Sequence, residues 1–392
     1  MNLKFTIMPH FQNNIVSKLP GFGNSIFAVM SQMANEYNAI NLSQGFPDFS
    51  ISETLVELVN KYMKNGENQY APMQGLPELR EAISLKIKNS YDQAYNPLTE
   101  ITITAGATEA LFAAITAFIR EGGEVIIFEP AYDSYEPAIK LNGGVLKYAT
   151  LKHPDYHIEW DEVKKLVSHK TRMIIINTPH NPTGSVLKAQ DMEALAKITN
   201  NTDIIILSDE VYEHLIYEDI QHQSVCLFPG LVERSLVVGS FGKTFHATGW
   251  KMGYCLAPGN LMTEFRKAHQ FIVFACNTPI QYALAEFLIN NENYIYLNKF
   301  YQEKRDYFVK LISTSRFKVI PSHGTYYQLL DYSEISDENE PEFAKRLTKD
   351  YKIASIPVSV FYHRQVNNKV LRFCFAKKNE TLEKAAEILC RI

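Results

Sequence analysis

Ser235-Leu236-Val237-Val238-Gly239-Ser240-Phe241-Gly242-Lys243-Thr244 joins a short apolar run to a glycine turn and a lysine. The run reads as a buried parallel strand, being β-branched, nearly unbroken in its apolar character and closed by Gly. Lys243 is thereby set past the carboxyl end of a strand, the edge where open α/β sheets bind ligands. Gly242-Lys243-Thr244 also ends a phosphate-binding P-loop, but that loop needs a Gly five residues before Gly242. Val237 stands there, so nucleotide binding fails on spacing.

Outward from this stretch the pattern repeats in kind. Ile101-Thr102-Ile103-Thr104, Glu124-Val125-Ile126-Ile127-Phe128, Met173-Ile174-Ile175-Ile176, Ile204-Ile205-Ile206-Leu207 and Gly253-Tyr254-Cys255-Leu256-Ala257 are of strand length and alternate with helical segments. Their β-branched content predicts a parallel sheet covered on both faces. Upstream lie a helix over about 25–37, a tight turn at Gly45-Phe46-Pro47-Asp48-Phe49, and a helix at 76–83 with Pro77 in its first turn. Thr278-Pro279 opens a long helix over 280–312, with a break near Asn290-Asn291. Strands at 318–320, 325–329 and 370–375, with helices near 341–351 and 380–391, then form a smaller α+β domain.

With 392 residues, 46% of them hydrophobic, the chain can bury a large core and make two domains. A net charge of −4 gives no electrostatic footprint for nucleic acid or an anionic membrane, so a small molecule is the expected partner. No stretch of residues 1–10 suits a signal peptide, and no later run reaches the length of a membrane span. Five cysteines at wide spacings, without a C-x-x-C pair, fit reduced thiols in a cytoplasm.

The other strand ends carry chemistry too. Gly106-Ala107-Thr108 opens a helix whose free N–H groups suit a phosphate. Asn177-Thr178-Pro179-His180-Asn181-Pro182-Thr183-Gly184 is a constrained loop presenting the Asn181 amide. Asp209-Glu210-Val211-Tyr212 supplies a carboxylate and a phenol. Pyridoxal 5'-phosphate needs a lysine for a Schiff base, a carboxylate for its pyridine nitrogen, donors to its ring oxygen and a phosphate cup.

In Asn181-Pro182-Thr183-Gly184, Asp209-x-x-Tyr212 and Ser240-x-x-Lys243, in this order at strand ends, the sequence resembles the class I aminotransferases of fold type I. The resemblance runs from Gly45-Phe46-Pro47-Asp48 to Arg372-Phe373-Cys374-Phe375 and looks strongest toward methionine, glutamine and kynurenine aminotransferases, above all the bacterial methionine enzymes. It implies an α/β fold: an arm and part of a small domain at 1–45, a large domain at 46–280 with a mostly parallel seven-stranded sheet, and a small domain at 281–392.

By the same resemblance Lys243 would hold the cofactor, Asp209 would pair with its ring nitrogen, and Asn181 and Tyr212 would bond its ring oxygen. Tyr132 would stack on the ring, while Ala107, Thr108, Ser240 and Lys251 would bind the phosphate. Lys251 stands where the family often has Arg, so a bidentate grip becomes a point charge. Arg372, in an apolar strand, and the Gly45 N–H would take the substrate's α-carboxylate. Tyr70 and Phe274 would cross from a neighbouring subunit, which implies a homodimer with shared active sites.

The implied reaction is transamination between an amino acid and a 2-oxo acid, Lys243 moving the α-carbon proton. Phe27, Phe274 and Phe361 would wall the side-chain pocket with no Arg for a second carboxylate. That favours methionine, with glutamine, leucine, aromatic amino acids or kynurenine behind it. A carbon–sulfur β-lyase on the same fold is the alternative, and a DNA-binding regulator lacks room for an added domain before Gly45.

Overall fold

In the computed structural model, which describes residue 11 and residues 13–392, the β-branched runs pair into one seven-stranded sheet. The expectation for residues 1–10 lies outside the described residues. Across the sheet the order is Ile101–Thr104, Gly253–Leu256, Ser235–Ser240, Ile205–Asp209, Thr171–Asn177, Glu124–Glu129 and Val145–Thr150. Neighbours are parallel except for Gly253–Leu256, which runs antiparallel to both of its partners. Consecutive residues such as Val125 and Ile126 are both fully buried. Since they point to opposite faces, both faces are covered, and each such side chain contributes about 1.5–3 kcal/mol.

Two sequence expectations need correction. Val145–Thr150 is a seventh strand that the apolar-run criterion passed over. It closes one sheet edge, is mostly half-exposed and carries Lys147 and Tyr148, so it lacks the unbroken apolar signal of an interior strand. The helix foreseen over 280–312 breaks at Asn290-Asn291 as expected but breaks again at Tyr296, giving three helices, Thr278–Ile289, Glu292–Ile295 and Leu297–Leu311. Asn290 takes an extended backbone, and its side chain accepts from Glu292 N–H, starting the next turn.

A second, antiparallel sheet orders Ile356–Pro357, Val370–Cys374, Tyr327–Asp331 and Lys318–Ile320. Helix Glu340–Asp350 packs beside it, started by Asn339, whose side chain accepts from Glu342 N–H, and by Pro341. Ile40–Asn41 pairs in parallel with Ile353–Ala354, and Cys374 N–H donates to Leu42 O at 2.8 Å. These bonds stitch the N-terminal segment along the second sheet and deliver Gly45 to the end of the large one. Among the described residues no helix is long and apolar enough to cross a membrane.

Candidate active site

Register gathers the site. Asn177 pairs with Asp209, Asp209 with Val238, and Gly253 with both Ser240 and Thr104, so four strands finish and the antiparallel Gly253–Leu256 begins at one edge. A cavity of about 300 Å³ opens there, within the range for small-molecule sites. Its wall includes Lys243, Asp209, Tyr212, Asn181, Tyr132, Ala107, Thr108, Ser240, Lys251, Gly45 and Phe27.

Asp209 is buried at the end of its strand. Tyr135 Oη donates to its Oδ2 at 2.6 Å and Val211 N–H approaches Oδ1 at 3.4 Å. Burial pushes its carboxyl up to about 6, against the pull of the Tyr135 bond. A cation placed on this carboxylate reverses that penalty. Asn177 ties the neighbouring strand ends together: its Nδ2 donates to Asp209 O at 2.9 Å, and its Oδ1 accepts from Asn181 N–H at 2.8 Å.

Lys243 sits in the single helical turn Phe241–Thr244, held by Phe241 N–H donating to Met252 O at 3.1 Å. Its Nζ donates to Tyr326 Oη at 2.7 Å and lies 3.4 Å from Gly45 O. Burial lowers the amine to about 8. A Cβ at Gly45 would fall on the Tyr327 hydroxyl, so any larger residue there forces the buried ring to shift. Burial also raises the phenols that face the cavity, Tyr132 to about 12 and Tyr212 well above its ordinary value; Tyr212 Oη lies 3.3 Å from Tyr327 Oη.

The anion cradle is built by close backbone approach. Gly106, at φ 78°, caps helix Ala107–Phe118, whose first N–H groups lack partners within the helix. Lys251, itself at φ 54°, brings its Nζ to 3.3 Å from where a Gly106 Cβ would stand. A Cβ on Gly253 would meet Gly239 O at 2.8 Å and Ala107 N at 2.9 Å. An ammonium therefore faces the positive end of a helix, an arrangement that a phosphate balances.

Arg372 has no exposed surface, yet its bonds reach only neutral groups: Nη1 donates to Asn181 Oδ1 at 2.7 Å and Nη2 to Ser43 O at 3.1 Å. Its Nε is buried without a partner. The guanidinium lies 3.8 Å from the Tyr327 ring centre, 5.2 Å from Phe27 and 5.7 Å from Phe361. Phe27 and Phe361 are 5.9 Å apart, centre to centre. A buried cation boxed by aromatic rings, with a spare donor, suits an incoming carboxylate.

Tyr70 and Phe274 are not brought in. They pack edge to face at 5.2 Å on the surface, 83% and 55% exposed, outside the Lys243 cavity of their own chain. Sequence reasoning also missed Tyr135, Asn177, Tyr326 and Tyr327. Asn177 stood in the motif loop, but the tyrosines act across long separations, Tyr135 reaching Asp209 from 74 residues away.

The family of class I and II aminotransferases matches residues 37–389. A methionine aminotransferase of Escherichia coli (strain K12) is 48% identical over 374 residues, spanning 95% of this chain and 97% of the relative. Kynurenine–oxoglutarate transaminase 3 of Homo sapiens is 34% identical, spanning 99% and 91%. A solved Escherichia coli structure, described as having a methionine aminotransferase function, superposes with a TM-score of 0.95 at 47% identity, covering 97% of this chain and all of that one.

Proposed function

The chain belongs to the class I and II aminotransferases, and from that premise we propose that it moves the amino group of a hydrophobic or sulfur-containing L-amino acid, methionine foremost, to a 2-oxo acid. The observation that carries this reading is the convergence of the Lys243 amine, the Asp209 carboxylate and the anion cradle on one cavity, with Arg372 bonded to its Asn181 wall. The family in general uses pyridoxal 5'-phosphate, which when bound supplies an electron-withdrawing ring beside the substrate's α-carbon. In this chain Asp209 would hold the ring nitrogen's proton, Asn181 and Tyr212 the ring oxygen, and Tyr132 one ring face. Ala107 and Thr108 N–H groups, Ser240 and Lys251 would hold the phosphate.

Arg372 and the Gly45 N–H orient the substrate's carboxylate. The Lys243 amine, lowered toward neutrality, would then take the proton from the α-carbon and hold it on Nζ. Phe27 and Phe361 exclude water and favour an uncharged side chain; a buried carboxylate there, without a partner, costs several kcal/mol. The 48% identity to a methionine aminotransferase supports the same choice. Glutamine, leucine, aromatic amino acids and kynurenine follow as weaker donors.

Exposed Tyr70 and Phe274 support a homodimer in which each chain lends these rings to its partner's cavity. The separate sheets support domains at 46–280 and 281–392 with residues 1–45 as an arm and part of the small domain, and five unpaired cysteines support a cytoplasmic setting. The test compares kcat/KM for methionine, kynurenine, glutamine and aspartate with one 2-oxo acid. Aspartate ranking first overturns the pocket assignment. Acceptor-independent release of pyruvate and ammonia from a cysteine conjugate, faster than transamination, replaces the reaction with β-elimination.

A further inference from the structure

Tyr326 lies fully buried at the entrance to strand Tyr327–Asp331, wedged among Tyr212, Tyr301 and Tyr327 at ring separations of 5.3, 5.8 and 5.0 Å. Packing alone accounts for the ring but not for where the hydroxyl points. Its oxygen is 2.5 Å from Gly45 O and 2.7 Å from Lys243 Nζ. A carbonyl only accepts, so the single phenolic hydrogen goes to Gly45. Toward Lys243 the phenol can therefore only accept.

A neutral amine carries two N–H bonds and one lone pair at tetrahedral positions. In Lys243 one N–H is taken by Tyr326 Oη and the other faces Gly45 O at 3.4 Å. The lone pair is left with the one remaining direction, while the side chain forms part of the cavity wall. Rotation about the Cε–Nζ bond breaks both contacts together. We propose that Tyr326 is a positioning residue for the reaction: its hydroxyl accepts from the Lys243 amine, fixes the direction of the proton-accepting lone pair, and ties that amine to the Gly45 segment. The assignment rests on Lys243 being the group that moves the substrate's proton.

The experiment starts from the cofactor-free full chain, so that no turnover is involved. Trace acylation with acetic anhydride across a pH series, quantified at Lys243 by mass spectrometry, gives the midpoint at which the amine becomes reactive. Tyr326→Phe keeps the ring and removes an acceptor for the ammonium form, so the midpoint falls by about one pH unit. An unchanged midpoint overturns the proposal. Should the Phe variant not fold, 3-fluorotyrosine at position 326 keeps the shape with a poorer acceptor. It moves the midpoint the same way by less, and no movement again overturns the proposal. In the loaded enzyme Tyr326→Phe lowers kcat about tenfold with KM for methionine nearly unchanged, and raises the isotope effect for α-deuterated methionine. A rise confined to KM contradicts the proposal. Borohydride reduction and peptide mapping of the unmodified protein separates the two layers: cofactor fixed to another lysine removes the functional reading, whereas the acylation midpoint reads the hydrogen bond either way.

Discussion

Two buried lysine–carboxylate regions flank the same strands, and they are wired in opposite ways. In the first, Lys86 Nζ meets Glu213 Oε1 at 2.5 Å, with both side chains almost without exposed surface. Tyr254 and Tyr91 donate to the same carboxylate at 2.8 and 2.7 Å. In the second, Asp209 is bonded by Tyr135 and Val211 N–H, while Lys243 donates to a phenol and a carbonyl. Asp209 and Glu213 are one helical turn's worth of sequence apart, yet one charge is neutralised by a lysine inside the protein and the other has neutral hydrogen-bond partners alone. The framework charge is closed within the protein; under the proposed function, the open one is the charge a ligand would balance.

The largest expected effect sharpens this contrast. Lys243→Ala lowers turnover by about 10⁴-fold or more, while the melting temperature of the cofactor-free chain does not fall, because a lysine is removed whose burial opposes its charge. Lys86→Ala does the reverse: it leaves Glu213 buried and unpaired and lowers stability by about 3–5 kcal/mol in denaturant unfolding, with activity per folded molecule retained. If Lys243→Ala proves the more destabilising of the two, the contrast is broken.

Arg372→Ala should cut kcat/KM for methionine by about 10²–10³-fold, mostly through KM, and Arg372→Lys should restore only part of it, since a point charge cannot replace a planar fork. Steady-state kinetics on both variants decide whether the unpartnered Nε is waiting for substrate. Asp209→Asn should lower kcat by roughly 10²–10³-fold yet leave the cofactor-free chain as stable as before or more so. A marked loss of stability would place Asp209 with Glu213 as framework.

The smallest effect is a pH dependence in the cofactor-free chain. Asp209 titrates near 6 in the fold, above its free value, so the penalty for burying its charge grows as pH rises and is complete above that point. Lys243 titrates near 8, below its free value, so its penalty is complete below 8 and is relieved as pH rises further. Both act together between about pH 6 and 8. Denaturant midpoints for Asp209→Asn relative to the unmodified chain should therefore improve as pH rises from about 4 to 6 and hold that gain above 6, and those for Lys243→Ala should lose their advantage above 8.

What could be read from the residues alone follows the same division. Lys243, Asp209 and Asn181 sit within a few residues of strand ends, so a local apolar pattern followed by a reactive side chain located them. Arg372 was legible because a charge in an apolar strand demands a partner. Tyr135, Tyr326 and Tyr327 are set by packing between distant segments, and a tyrosine in a chain with 22 of them carries no local mark. Strand Val145–Thr150 was hidden by the half-exposed edge it occupies, and the reversal of Gly253–Leu256 is a matter of loop direction that periodicity does not encode.

That reversal has a consequence for how such a site can change over evolutionary time. Because Ser240 and Gly253 face each other in the ladder, and Phe241 N–H is bonded to Met252 O, residues 241–252 form a loop that leaves and rejoins the sheet at one place. Were the strand parallel, its four residues would carry the return point about 13 Å away, to the opposite edge. Instead both lysines of the cavity ride on a closed segment that can lengthen, shorten or be exchanged without shifting any strand register. Both ends of the segment are thus pinned at one point of the sheet, so the positions of its lysines depend on the loop's own length and not on the strand register.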